Sequence, residues 1–452
     1  MKLSNSLFKC IIALLFASQA IVANAQNTPT SSDSITLTLE QAQSYALEHN
    51  VSILNSALDL RITKMRVLEI ITTGLPQISA NLQYKDNFKL PVSIIPAGSF
   101  GNPEDLQVQF GTPQNMAFNF EINQLILDGR YFIGLKANKA FLAITQDQQN
   151  LTEIQVREEI AKAFYGALVA EESRRILALN IATIERLQFE TAELFKAGLT
   201  EELSVDRLTL SLNNLKSKYT EAAFGAELTL NVLKYQMGMS LEQPIKLTGN
   251  LNDMLIVNAD TTFGDFNAES RVEYNLLKTQ YEVRKYDAQQ VRANYFPSLV
   301  GFFGYGFNAQ RQQFNFLDKN EPWFQTGYFG FQLNVPIFDS YKSGSVYQQK
   351  KLDMMKIQNN INNFKEQAAL QYKNALTEFK NAKLEYEIQL GNMELAQKIF
   401  NKVTIMNKEG LSSSLELADA ESSLTQTQAN YTNAIYNLLV KRVAVEKALG
   451  KL

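Results

Sequence analysis

Proline placement constrains this chain more than any other feature. Ten prolines are present, yet none falls between Pro113 and Pro244 or after Pro336. Proline lacks the N–H that a helix interior needs, and its ring clashes with the preceding turn. The two proline-free stretches, 130 and 116 residues long, are therefore free to be very long helices. Glycine is sparse in both. Gly198 and Gly410 fall near their middles, where each helix is expected to stop and reverse. Thr200 and the run Ser412-Ser413-Ser414 offer caps for the returning helices.

Apolar periodicity agrees with that reading. From Ile357 a stripe runs through Ile361, Phe364, Ala368, Tyr372 and Ala375, and on to Val403, 13 steps over 46 residues, a mean of 3.54. A period between 3.5 and 3.6 favours helices that coil left-handedly about their neighbours. The remaining positions are mostly Gln, Asn, Lys and Glu, so such a helix is half wet and does not span a membrane. Tyr131 to Ala197 alone, as helix, extends about 100 Å at ~1.5 Å per residue. A compact globule does not hold helices of that length.

The first 25 residues read as an address. Lys2 and Lys9 precede the apolar run Cys10–Ala17, and Ala23-Asn24-Ala25 is a small-x-small cleavage site. Lys9 directly before Cys10 argues against a lipoprotein. The expected mature chain, Gln26–Leu452, has a net charge of −5 and no cysteine, hence no disulfide. The acidic balance (pI ≈ 5.6) argues against a nucleic-acid partner. One His and one Cys exclude His- or Cys-clustered metal sites and Cys/His nucleophile pairs. No metal and no cofactor are expected. Beyond the leader, no apolar run reaches the ~18–20 residues of a membrane helix.

One unit occurs twice. Leu75–Tyr84 (LPQISANLQY) resembles Phe296–Tyr305 (FPSLVGFFGY), and Phe118–Gly129 resembles Phe329–Ser340. Gly198-Leu199 matches Gly410-Leu411 at an offset of 212, which Leu203/Leu415, Tyr219/Tyr431 and Gly238/Gly450 share. An internal duplication is expected, with repeats over 26–240 and 269–452 joined by a linker over 241–268.

Four segments alternate like strands. Ile78, Ala80, Leu82 and Tyr84 alternate with polar residues over Pro76–Lys85, and Phe118, Phe120 and Ile122 with Asn119, Glu121 and Asn123 over Ala117–Asn123. Leu299–Phe307 puts Leu299, Gly301, Phe303, Tyr305 and Phe307 on one face. Gly327–Val335 sets Phe329, Phe331, Leu333 and Val335 opposite Tyr328, Gly330, Gln332 and Asn334. Period two with one apolar and one polar face suits a sheet between two media, and each run approaches the ~9–11 residues of an outer-membrane strand. Four strands cannot close a barrel, and a bilayer tolerates no open edge. Three chains of four strands supply twelve, so a homotrimer is the simplest closed assembly. Asn87–Met116 has loop composition. Trp323, Phe324 and Tyr328 are candidates for an aromatic belt at the lipid headgroups.

The segment EGLSSSLELADAESSLTQTQANYTNAIYNLL (Glu409–Leu439), the opening LTLEQAQSYALEHN (Leu37–Asn50) and LPQISANLQY together resemble the TolC-type outer-membrane efflux protein family. The resemblance covers about Thr36–Leu452. It implies a mainly α fold with membrane β: a trimeric 12-stranded β-barrel in the outer membrane, continuing into a long α-helical coiled-coil barrel in the periplasm. It further implies a channel that exports cargo for an inner-membrane pump, reached through a periplasmic adaptor. The hairpin turns Gly198-Leu199-Thr200 and Gly410-Leu411-Ser412 would lie at the adaptor and pump end. Two acidic residues after the family's second turn carry over to Glu416 and Asp419, three apart and on one helix face. In a trimer they would form a six-carboxylate constriction that favours cations. The first of them is Glu where the best-known members have Asp, and a family Arg near the turn aligns with Ser412. The first copy has Ser204 and Arg207 at these places, so one copy alone carries the ring. Enzyme function is not expected: GFFGYG (Gly301–Gly306) is not GxGxxG and lies in a strand, and His49 precedes a helix end. A periplasmic coiled-coil scaffold or adhesin is the alternative; it explains the helices and leaves the strands unexplained.

Overall fold

The computed structural model describes residues 35–98, 101, 103–249, 251 and 263–452. The expected leader, 1–25, and most of 250–262 in the linker lie outside these residues.

Strand β1 (Ile35–Leu37) leads into helices α1 (Leu39–His49) and α2 (Val51–Thr72). Strands β2 (Gln77–Asp86), β3 (Val92–Ile95), β4 (Leu106–Gln109) and β5 (Gln114–Leu127) follow. Then come the 68-residue helix α3 (Gly129–Lys196) and its return, α4 (Glu202–Met237). After β6 (Ile245–Leu247), helix α5 (Val272–Ala293) leads to strands β7 (Ser298–Arg311) and β8 (Phe324–Asn334). The 67-residue α6 (Lys342–Lys408) and α7 (Ser414–Ala448) end the chain. The proline-free stretches are thus two helical hairpins, the first helix of each about 100 Å long.

Among the described residues the main sheet has the order β2-β5-β7-β8, antiparallel throughout. Helices α2, α3, α5 and α6 continue these strands below the sheet and pack side by side in the same order. The entry to α3 is fixed by Asp128, whose carboxylate accepts from the Arg130 N–H at 2.8 Å and from its guanidinium at 2.6 Å. The entry to α6 is different: Ser340 and Tyr341 hold positive φ (52° and 65°), which costs a non-glycine residue roughly 1–2 kcal/mol each.

Every residue of the stripe Ile357–Val403 is buried or half-buried, against α7 and the linker. Phe379 meets Phe263 edge-on (5.2 Å) and Tyr372 stacks on Phe266 (5.1 Å), so the end of the linker lies on α6. Its start, β6, pairs in parallel with β1. One apolar cluster sits mid-hairpin around Phe164, Leu233, Phe379 and Leu439; another, around Ile184, Leu208, Phe400 and Leu417, lies nearer the tips.

Three expectations need correction. Asn87–Met116 is not all loop: β3 and β4 form a small hairpin inside it. The sheet strands run longer than their alternation, 10 to 14 residues, because their polar ends still pair. Thr200 does not cap α4; the cap position is Glu201, which makes no side-chain capping bond.

Among the described residues no helix is long and apolar enough to cross a membrane. That says nothing of the sheet.

Candidate functional site

The two hairpin tips lie at the ends of α3/α4 and α6/α7. At the first, Gly198 takes φ +73° and the Leu199 N–H returns to the Leu194 carbonyl at 2.9 Å. At the second, Gly410 takes φ +72° and the Leu411 N–H returns to the Met406 carbonyl at 2.8 Å. Both are the glycine-terminated closure that satisfies a helix's last carbonyls. Leu199 and Leu411 project outward, 74% and 73% exposed. Asn407 Nδ2 donates to the Ser412 carbonyl (2.9 Å) and ties the second turn shut.

Glu416 is the third residue of α7, and its carboxylate folds back on the helix start. Ser413 Oγ accepts from the Glu416 N–H (3.2 Å); Glu416 Oε2 accepts from the Ser413 N–H (3.1 Å) and the Ser412 hydroxyl (2.5 Å). This is a complete capping box. The Ser412 hydroxyl first, and then the Ser413 N–H, hold the Glu416 carboxyl below the usual carboxylate range. The pattern Ser413-x-x-Glu416 announces such a box and was missed because the acidic spacing drew the reading. Asp419 is exposed one turn on. With Glu416, Ser423, Gln426 and Asn430 it forms a continuous exposed polar stripe, while Leu417, Ala420 and Leu424 face the core.

The tips are tied to each other. Arg207, where the second copy has Asp419, donates to Ser414 Oγ at 3.2 Å. Further up, the buried Glu421 carboxylate accepts from Ser211 Oγ and Thr425 Oγ1, both at 2.8 Å. Lys408 pairs with Glu190 at 2.7 Å. These contacts hold the two tips together, and the Asn407–Ser412 bond closes the second.

The sheet has two unlike faces. Register places Ile78, Leu82, Phe118, Phe120, Phe303 and Phe329 on one face, continued by Phe331 and Leu333. Phe329 and Phe331 are 80% and 69% exposed in the single chain. Opposite lie Ser79, Asn81, Asn119, Glu121, Thr326 and Gln332. Phe324 and Tyr328 fall on this polar face, paired with Asn308 and Gly304. The alternation around Phe329 already placed Tyr328 opposite it. Trp323 joins an aromatic cluster with Phe316 (6.3 Å), Phe314 and Tyr84, reached from the apolar face.

Among the described residues no group of His, Cys, Asp or Glu is placed to hold a metal.

A four-stranded sheet carried on two helical hairpins of this length is an architecture that solved structures share. The chain superposes on the CusC structure, described in terms of transmembrane channel formation, with TM-score 0.70 at 14% identity, covering 94% of this chain and 95% of that one. The Campylobacter jejuni CmeC outer membrane channel gives 0.66 at 17% identity over 91% and 85%. The Neisseria gonorrhoeae MtrE outer membrane channel, in its open state, gives 0.65 at 18% over 91% and 88%. These likenesses show the fold. The sequence goes one step further: residues 276–451 match the family model for the outer membrane efflux protein, a span that contains the Glu409–Leu439 segment. Over 276–451 that match agrees with the resemblance read from the residues. No curated protein matches the chain in sequence.

Proposed function

We propose that this protein is the outer-membrane channel of a tripartite efflux or secretion system: a passive conduit, without catalysis, that docks to a periplasmic adaptor and an inner-membrane pump. The observation that carries the proposal is the pair of open edges. β2 and β8 end the sheet, run antiparallel to each other, and differ in length by one residue (10 and 11). β8 of one copy can therefore extend onto β2 of the next, and three copies close twelve strands with the apolar face outward. The helices support the same assembly. α2 leaves Val51, Leu54, Leu58, Ile62 and Met65 exposed at one side of the subunit. α6 leaves Leu384, Ile388, Leu395 and Ile399 exposed, away from its buried stripe. An uncovered apolar row along a wet helix fits a neighbouring copy. The repeats 26–240 and 269–452 with linker 241–268 belong to this proposal, as does the position of the turns at Gly198 and Gly410 toward adaptor and pump.

Three lipid-facing rings of each subunit, Phe303, Phe329 and Phe331, replace Phe324 and Tyr328 in the membrane; Trp323 keeps its place at the strand ends. Asp419 and Glu416 form the constriction, with unequal shares. Asp419 is free to project, whereas Glu416 must first release its capping box.

Purified protein should be a trimer in detergent and give discrete conductance in planar bilayers. A trimer without any pore overturns the channel. Asp419→Asn should weaken cation preference more than Glu416→Gln; unchanged selectivity in the double variant rejects the constriction. A scaffold or adhesin would wash from membranes with salt, where a barrel needs detergent.

A further inference from the structure

We propose that the inner wall of the barrel carries a binding station for aromatic organic cations, built from Glu121, Tyr328 and Phe302 on a floor of glycines. The inference rests on the channel reading, which makes the polar sheet face the lumen. It gives the motif GFFGYG a role that nothing above assigns.

The geometry begins with missing side chains. Glu121, Gly304 and Tyr328 stand in one row across β5, β7 and β8. Because Gly304 has no Cβ, the Tyr328 ring lies over it: a Cβ there would sit 2.3 Å from ring carbon Cζ. The ring thereby reaches across β7, and Tyr328 Oη donates to Glu121 Oε1 at 3.5 Å. The next row mirrors this. Phe302 lies over Gly330, whose Cβ would sit 2.7 Å from the Phe302 ring. The two rings meet edge-on, centroids 6.1 Å apart at 62°. Tyr328 is 52% exposed and Phe302 half-buried, so the pair leaves ring surface on the polar face.

Charge completes the station. Lys85 and Glu121 are the two charged residues that register places on the polar face of the four strands. They stand six residues apart in the β2–β5 register, Lys85 opposite Asn115, so Lys85 is roughly 20 Å away at ~3.4 Å per residue. Among the described residues Glu121 has the Tyr328 hydroxyl as its hydrogen-bond partner and no ion pair. An uncompensated carboxylate beside an exposed ring and a half-buried one attracts a cation with a flat apolar body, by Coulomb attraction and by the ring quadrupole together. A small hydrated cation gains the first and little of the second. Three subunits put three stations at one height of the barrel, well above the constriction at Asp419.

The test is open-channel block of the full-length trimer in planar bilayers, with phenyltrimethylammonium and tetramethylammonium as probes. The aromatic cation should halve the current at a concentration at least about fivefold lower than its methyl counterpart, a ratio in the range of one ring–ring contact. Tyr328→Leu should remove most of that preference, whereas Glu121→Gln should weaken block by both probes alike. Gly304→Ala, which displaces the ring, should act as Tyr328→Leu does. Equal block by the two probes in the unaltered channel overturns the station alone, as does a preference that survives Tyr328→Leu or block by both probes that Glu121→Gln leaves unchanged. Trimers that never conduct overturn the channel reading and the station with it.

Discussion

The two hairpin tips have nearly the same backbone and different chemistry. Gly198 and Gly410 share a left-handed φ within a degree, and the same long-range N–H returns close both helices. Beyond the glycine the tips part. Ser413 caps α7 reciprocally with Glu416; 212 residues earlier, Glu201 stands in the cap position without a capping bond and Ser204 in place of the glutamate. Where the second tip has Asp419, the first has Arg207, which reaches the other tip at Ser414. The difference teaches what a reversal requires. Ending a helix needs a residue that tolerates positive φ and two N–H groups aimed back at open carbonyls. Starting the next helix tolerates more variety, and there the two tips differ. One is self-contained and acidic, the other a tie to its neighbour.

The comparison breaks first at the glycines. Gly198→Ala and Gly410→Ala should each destabilise their tip by about 1–2 kcal/mol, the cost of a Cβ in left-handed backbone. Both have open space around the Cβ position, so strain alone sets the effect and the two values should agree. Hydrogen exchange of tip amides in the trimer measures this; a large gap between the variants would show that the backbones are not equivalent.

The cap comes next. Ser413→Ala should cost the second tip about 1 kcal/mol, as loss of a serine cap does, whereas Glu201→Ala should fall within about 0.5 kcal/mol of no effect. The reverse experiment sharpens the point. Glu201→Ser with Ser204→Glu writes a capping box into the first tip and should raise its exchange protection by a few tenths of a kcal/mol to about 1. Protection that does not rise would mean that the entry geometry of α4, rather than its residue types, forbids the cap.

How much of this was legible depended on how local the cause is. The long helices were legible because proline exclusion acts residue by residue, and the turns because Gly198 and Gly410 interrupt glycine-poor tracts. The stripe from Ile357 was legible because one partner surface buries it. The second row on α6, Leu384 to Ile399, was not read, since a row without a partner in the same chain has no burial to reveal it. The β3/β4 hairpin was hidden by the prolines and glycines around two four-residue strands. The face of Tyr328 is legible by parity, since alternation with Phe329 puts the two on opposite sides. What Gly304 and Gly330 do depends on which ring lies across the strand, a register fact that one strand's sequence does not contain.

The smallest expected effect separates the tips by pH. Glu416 is fully exposed, and the Ser412 hydroxyl and Ser413 N–H hold its folded pKa below the unfolded carboxylate value, roughly 4.3. A depressed folded pKa contributes stability that is complete above the unfolded value and is lost as pH falls through the folded one. The second tip should therefore loosen below about pH 4, by the contribution of this one carboxylate to its box. The first tip has serine at 204 and no such carboxylate to protonate. After correction for intrinsic exchange chemistry, protection of amides 412–418 should hold down to the unfolded carboxylate value, roughly 4.3, and fall at lower pH, while that of 200–206 changes less. Glu416→Gln, which can still accept from Ser413 but does not titrate, should flatten the pH response and keep the box. If both tips loosen equally, or if the glutamine variant keeps the full response, acid is acting elsewhere, and the capping role of Glu416 fails.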